Sequence, residues 1–391
     1  MRRKELVLFL LIVLLIYGSV NGYIFWRGLQ ALSGPGPARL IFSLLFLGSV
    51  LAFPVGRILN ARFHTHLTEG LVSLGSYHLA LMLYLFLFIF IKDIIRWLAR
   101  IADAQVAPGS WLSIRHPGSF LVIVALSLLV VILGHLNAIN PRLRELNINI
   151  EKKIPAGSEL RAVLISDIHL GIINRSSRLE KLVDRVNELR PDVVFFAGDI
   201  VDEGVSQEEE EKMVGLLRKL RSPLGLYACP GNHEYYGGFE RNISYLEKAG
   251  VTVLLDRAVR VDGWFYVIGR KDWAALRSGQ KRVSLNEIMD RDGVDRAWPV
   301  VVLDHQPLYL EEAARAGVDL QLSGHTHAGQ LFPLDIINRF VYEKNWGYLK
   351  KGTTHFYVSS GSGTWGPAVR TGSRSEIILL RLRFQGKSQE N

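Results

Sequence analysis

Cysteine is nearly missing from this chain of 391 residues: Cys229 stands alone, so an intrachain disulfide is impossible. That usage suits a reducing compartment, although exported proteins without disulfides are common enough that it fixes none. Also lacking is any basic run interleaved with aromatic residues. The formal net charge of +9 therefore does not point to nucleic acid as a partner. Anionic lipid, or the Lys and Arg that flank membrane helices, accounts for a basic balance equally well. Long uncharged apolar runs are missing from about residue 138 onward, although 49% of the chain is apolar. They are concentrated before that point, which predicts a transmembrane helical module over residues 1–140 and a water-soluble domain over residues 145–385.

A membrane-spanning helix needs about 20 mostly apolar residues. Four stretches qualify, near Leu6–Trp26, Leu40–Ile58, Leu71–Ile91 and Phe120–Leu136. Arg2, Arg3 and Lys4 precede the first, as in an uncleaved signal-anchor, and no small-residue cleavage site follows it. With the N-terminus inside, the cytoplasmic flanks hold Arg2, Arg3, Lys4, Arg57, Arg62, Arg142, Arg144, Lys152 and Lys153. The opposite flanks hold Arg27, Arg39, Lys92, Arg96, Arg100 and Arg115. This bias and the even number of spans predict that the second domain lies on the cytoplasmic side. His78 and His135 fall inside predicted spans and read either as functional groups or as neutral histidines bonded to a neighbouring helix. Nothing there looks like a carboxylate-rich transport path.

Beyond residue 145 short β runs alternate with polar helical stretches. Arg161–Ser166, Asp192–Ala197, Gly225–Cys229, Trp264–Ile268, Val300–Leu303, Leu320–Leu322 and Phe356–Ser359 read as strands, and Ser177–Leu189 as a helix. Alternation of this kind predicts an α/β domain around layered sheets. Most of these strands end in a side chain able to bind a metal or a proton, where α/β folds build their sites. In order these are Asp167 and His169, Asp199 and Asp202, Asn232 and His233, His305, then His325 and His327. Asp, His and Asn together make a mixed oxygen and nitrogen shell suited to Mn²⁺, Fe or Zn²⁺. So many donors exceed the need of one ion, but they suit two ions about 3.5–4 Å apart that share a carboxylate.

The five blocks Asp167-Ile168-His169, Gly198-Asp199-Ile200-Val201-Asp202, Gly231-Asn232-His233-Glu234, His305 and Gly324-His325-Thr326-His327 stand in order along the chain. Each follows an apolar strand. Together they resemble the signature of the calcineurin-like metallophosphoesterase superfamily, over roughly residues 155–385. Gly231–Tyr236, Gly324–Gln330 and Ser359–Arg370 look like its bacterial membrane-associated branch, which includes enzymes similar to UDP-diacylglucosamine pyrophosphohydrolases. The resemblance implies a four-layer α/β/β/α sandwich. It further implies that Asp167, His169 and His327 hold one divalent ion, that Asn232, His305 and His325 hold the second, and that Asp199 bridges them. His233 would protonate the leaving group, with Asp202 orienting it.

That donor set fits hydrolysis of a phosphodiester or pyrophosphate, in a lipid or lipid-linked nucleotide at the membrane, by attack of a hydroxide bridging the two ions. A phosphomonoesterase acting on protein or small molecules is the alternative, and a membrane sensor or scaffold with a vestigial hydrolase domain is another. Asp202 also reads as a helix cap, Glu234 as structural, and Cys229 as a core residue rather than a nucleophile. Glu208–Glu211 reads as a solvated helix start. Gly361–Gly366 matches a dinucleotide fingerprint in form, but Pro367 opposes the helix that fingerprint needs. It reads instead as a flexible loop near the metals, with Arg370 and Arg374 as substrate-phosphate contacts or as ordinary surface residues.

Overall fold

The computed structural model describes residues 3–32, 34, 36–104, 106–107, 109–152, 159–202 and 206–384. Arg2 and Lys153, two of the cations counted for orientation, lie outside the described residues. The chain forms two compact units, Met1–His135 and Leu136–Asn391.

The first unit consists of α1 (Arg3–Ala31), α2 (Pro37–Phe63), α3 (His66–Ile101) and most of α4 (Pro117–Ile139). Each is long and apolar enough to cross a membrane, and each contains one of the predicted spans. Outward side chains such as Leu44, Leu45 and Leu133 are exposed, as lipid-facing residues are. Small residues let α2 and α3 approach closely, since a Cβ on Gly75 would stand 2.2 Å from the Phe53 amide nitrogen. His78 is buried, its Nε2 2.9 Å from Asn21 Oδ1 and its Nδ1 3.0 Å from Ser49 Oγ. His135 Nδ1 meets Tyr77 OH at 2.9 Å. Both histidines are bonded to neighbouring helices.

The second unit holds two six-stranded sheets. The first sheet uses β1 (Arg142–Ile150), β2 (Glu159–Ile165), β3 (Val193–Ala197), β4 (Leu226–Cys229), β5 (Thr252–Val253) and β12 (Glu376–Phe384), ordered β1-β12-β2-β3-β4-β5. The second uses β6 (Arg257–Val261), β7 (Phe265–Gly269), β8 (Val300–Leu303), β9 (Leu320–Ser323), β10 (Gly347–Lys351) and β11 (Thr354–Val358), ordered β10-β11-β9-β8-β7-β6. Strands β2, β3 and β4 run parallel, as do β7, β8 and β9. Their carboxyl ends therefore gather within each sheet, and the site forms there.

Period-two burial explains the layering. In β3, Val193, Phe195 and Ala197 face the core between the sheets, while Val194 and Phe196 face the helices outside. In β8, Val301 and Leu303 face inward, and Val300 and Val302 face out. Helices α5 (Ser176–Glu188), α6 (Gln207–Leu217) and α8 (Phe239–Lys248) cover the first sheet through Leu182, Val186, Leu217 and Leu246. Helices α9 (Leu285–Arg291) and α10 (Glu311–Ala316) cover the second through Leu285, Ile288 and Ala313. The result is the expected four-layer α/β/β/α sandwich. Four short elements remain among the described residues: α7 (Asn232–Tyr236), α11 (Leu334–Val341) and two 3₁₀ turns, Trp273–Ser278 and His327–Gly329. Ser206 caps α6, its side chain accepting from Glu209 N, and Glu208, Glu209 and Glu210 fill the first turn as expected.

Candidate metal centre

Each predicted donor follows a parallel strand. Asp167 and His169 follow β2, Asp199 and Asp202 follow β3, Asn232 and His233 open α7 after β4, His305 follows β8, and His325 and His327 follow β9. The fold brings all nine together. Asp167, His169 and His327 form one group, and Asp199, His305 and His325 another, with donor atoms within 4.8 Å of one another in each. Asp199 lies between the two: its Oδ2 is 3.7 Å from His169 Nε2 and 3.1 Å from His305 Nε2.

The backbone is strained where the donors sit. Asp167, His169, Asp199, His325 and His327 have φ of 51°, 50°, 51°, 71° and 48°. The left-handed region costs a non-glycine residue about 1–3 kcal/mol, although Asp and His tolerate it better than most. Five such residues in one cluster turn their side chains toward a common centre. Two glycines leave room for them. A Cβ on Gly231 would stand 2.2 Å from Asp199 Oδ1, and one on Gly324 would stand 2.3 Å from Asp167 Oδ2.

Hydrogen bonds around the donors fix their orientation. Asp167 accepts the His325 amide at 3.0 and 3.2 Å on its two oxygens. Asp199 Oδ1 accepts the His233 amide at 2.8 Å. His305 Nδ1 donates to Ala197 O at 2.7 Å, leaving Nε2 for the centre. Glu234, fully buried, spans the β3 and β4 loops. Its Oε1 accepts Ile200 N and Val201 N at 2.8 and 2.9 Å, and its Oε2 accepts Gly231 N and Asp199 N at 2.6 and 3.1 Å.

The donor set has the chemistry of a cation site. His169 Nε2 and His327 Nε2 meet at 3.1 Å, with Asp167 Oδ1 3.5 Å from the latter. Asn232 Oδ1 and His305 Nε2 are buried without a hydrogen-bond partner, the latter close to Asp199 but not along a bonding direction. Burial pushes His169 down to about 4 and His325 down to about 3, and drives His327 well below its ordinary range. These three imidazoles are neutral, the form that ligates a metal, whereas the Asp199 and Asp167 carboxylates outweigh burial and hold His305 well above its ordinary range. The residues therefore fit a pair of divalent ions.

His233 and Asp202 stand apart from that pattern. Burial opposes a charge on His233, but the Asp202 hydrogen bond and the Asp199 and Glu234 charges outweigh it and push the imidazole up to about 9. His233 Nδ1 lies 3.3 Å from Asp202 Oδ1. A cavity of about 340 Å³ opens over the cluster, walled by Tyr236, Leu334, Tyr342 and Trp365. Among the described residues, its lining contains no lysine or arginine.

Of the two arginines, Arg370 is neither a surface residue nor open to the pocket, and Arg374 takes the surface alternative. Arg370 is wholly buried, and its guanidinium donates to Ser360 O and Gly363 O at 2.6 and 2.8 Å, to His327 O at 3.2 Å and to His327 Nδ1 at 3.1 Å. Its donors face backbone and a candidate ligand, so it supports His327 from behind and does not reach substrate. Arg374 is exposed and lines a different pocket, with Arg142, Arg144 and Trp346. The segment from Gly361 to Gly363 is also packed rather than a free loop, with Ser362 N donating to Ser166 O and Gly363 N to Asp167 O, both at 2.9 Å. Among the described residues no helix follows it, as Pro367 implies.

Sequence reasoning missed the pocket walls Leu334 and Tyr342, because no donor motif marks an apolar wall. Gln330, the last residue of the block Gly324–Gln330, was a usable signal. Its side chain accepts Trp365 N at 3.0 Å and donates to Trp365 O at 2.8 Å, holding that ring at the rim.

Residues 160–329 match the calcineurin-like phosphoesterase model. A metallophosphoesterase from Aquifex aeolicus is 35% identical over 264 residues, covering 66% of this chain and 99% of that one. The chain belongs to the calcineurin-like phosphoesterase family. Metallophosphoesterases of this family are metal-dependent phosphoester hydrolases that use a dinuclear divalent centre. A metallophosphoesterase from Helicobacter pylori is 34% identical over 62% of this chain, which spans only 64% of that relative's length. A zebrafish protein named as a transmembrane protein with a metallophosphoesterase domain is 32% identical over 96% of this chain and 89% of its own.

Proposed function

We propose that this metallophosphoesterase hydrolyses a phosphodiester or pyrophosphate bond carried by a membrane lipid or lipid-linked nucleotide. The observation that carries this reading is the pocket: a donor cluster at its floor, apolar and aromatic walls, and no cationic side chain in its described lining. Such walls suit a substrate with a large apolar part. The lack of a lysine or arginine suits a phosphoryl group with one negative charge better than a monoester dianion.

In this reading Asp167, His169 and His327 hold one ion, Asn232, His305 and His325 the other, and Asp199 bridges. Mn²⁺, Fe and Zn²⁺ all suit this shell. When bound, the ions supply Lewis acidity toward the phosphoryl oxygens and a lowered pKa for water. The neutral carbonyl of Asn232 adds no charge to its ion, which keeps that ion electrophilic. Asp202 holds His233 through Nδ1, so Nε2 carries the proton that passes to the departing oxygen as the phosphorus–oxygen bond breaks. Four spans and the Lys/Arg bias support an integral membrane protein, in a bacterial inner membrane, with the catalytic unit over residues 145–385 on the cytoplasmic side.

The test is turnover by the full chain in detergent with Mn²⁺, comparing an aryl phosphodiester with an aryl phosphomonoester. Diester preference, abolished by chelation and by Asp199→Ala, supports the proposal. Monoester preference refutes it in favour of a phosphomonoesterase.

A further inference from the structure

Helix α11 turns its apolar side away from the protein. At about 100° per residue, Leu334, Ile336, Ile337, Phe340 and Val341 share an arc of about 160°. All five are exposed, Phe340 by 87%, and Phe332 just before the helix is exposed as well. The opposite side is polar and faces inward: Asp335 is buried, and Asn338 Nδ2 donates to Thr326 O at 2.7 Å. A helix bathed in water has the reverse arrangement.

Hydrogen bonds within the catalytic unit place this face near the point where the chain enters from α4. Asn137, in the last turn of α4, donates to Arg370 O and Ser373 O, both at 2.8 Å. Thr371 Oγ1, between those two residues, accepts from Phe332 N at 2.9 Å. The chain therefore enters the catalytic unit, at Asn137, beside the foot of α11. The pocket lined by Thr371 and Gly372 also carries Arg142, Arg144, Arg374 and Trp346. Cations and an indole of this kind complement anionic headgroups at a membrane surface.

We propose that Phe332 and the outer face of α11 bed into the bilayer surface at the rim of the catalytic pocket. Leu334, Asn338 and Tyr342 line that pocket, so a lipid substrate enters it sideways from the interface. The inference rests on the reading of the substrate as membrane-borne.

The test uses the full chain reconstituted in phosphatidylcholine and phosphatidylglycerol vesicles, with an environment-sensitive fluorophore on Phe340→Cys. Cys229 is buried, which confines labelling to the new thiol, and Glu247→Cys on α8 serves as a control site. Blue-shifted emission at Phe340→Cys, quenched by brominated lipids while the Glu247→Cys label is not, supports the docking. Emission as in water overturns it, and so does a blue shift without quenching, which shows another protein copy covering the face. As a second readout, Ile337→Asp with Phe340→Asp is expected to slow hydrolysis of a long-chain alkyl nitrophenyl phosphodiester in vesicles roughly tenfold. Turnover of soluble bis-nitrophenyl phosphate stays unchanged, and equal turnover of both probes overturns the proposal. Quenching needs no turnover, so a chain that docks but cleaves neither probe refutes the hydrolase reading alone.

Discussion

Replacing Glu234 with glutamine tests whether this buried carboxylate braces the metal loops. Each of its oxygens accepts two backbone N–H groups, Ile200 and Val201 on one, Gly231 and Asp199 on the other. Glutamine keeps the shape but turns one oxygen into an NH₂ group. Either flip points that NH₂ at two donors, so two hydrogen bonds are lost and two buried N–H groups are left unpaired. At about 1–3 kcal/mol for each buried group left unpaired, the loss is about 2–6 kcal/mol. For a unit of this size 1 kcal/mol lowers Tm by about 2–4 °C, so the drop is on the order of 10 °C. The affected amides include those of Asp199 and Gly231, so the cluster should hold less metal too. The assay is thermal unfolding of the full chain by tryptophan fluorescence, with bound metal counted by plasma mass spectrometry. A Glu234→Gln protein that melts within about 2 °C of the parent and keeps its metal would refute the bracing argument.

Four further outcomes follow from the same geometry. His233→Asn should lower kcat by about 10²–10⁴ while bound metal stays at the parental count; loss of metal would make His233 a ligand instead. In Gly324→Ala the new Cβ would stand 2.3 Å from Asp167 Oδ2 and 2.8 Å from Ser166 Cβ, so the carboxylate must move. Metal content and activity should fall together, and unchanged values would show that the loop yields freely. Arg282→Met strips a partner from Asp304, a pair in which both side chains are only 4% exposed. It should destabilise the catalytic unit by about 3–5 kcal/mol in urea unfolding, and a loss under about 1 kcal/mol would mean that Arg270, 3.9 Å away, already suffices. Burial drives the Cys229 thiol well above its ordinary range, so a thiol reagent at pH 8 should label it only after unfolding; labelling of the native chain would contradict its place in the core.

Much of the molecule is legible in the linear chain because its signals are local. The four long helices follow from apolar runs with few charges, which need no partner to be recognised. Buried strands such as Asp192–Ala197 show as apolar runs ending in a donor, and β3 occupies Val193–Ala197. The nine donors could be named because parallel strands carry their chemistry at their carboxyl ends. Strand β12 escaped that reading, although it sits between β1 and β2 in the sheet and ends in no donor.

Residue types and strand periodicity, carried in the order of the chain, were enough to mark the four apolar helices, the layered α/β fold and the donors that end its strands. Tertiary structure alone decided what Arg370 does, because an arginine in a glycine-rich segment looks the same whether its guanidinium meets solvent or a cage of backbone carbonyls. It likewise decided the outward apolar face of α11. Amphipathic spacing reveals that a helix has two sides, but only packing shows which of them the protein has already taken.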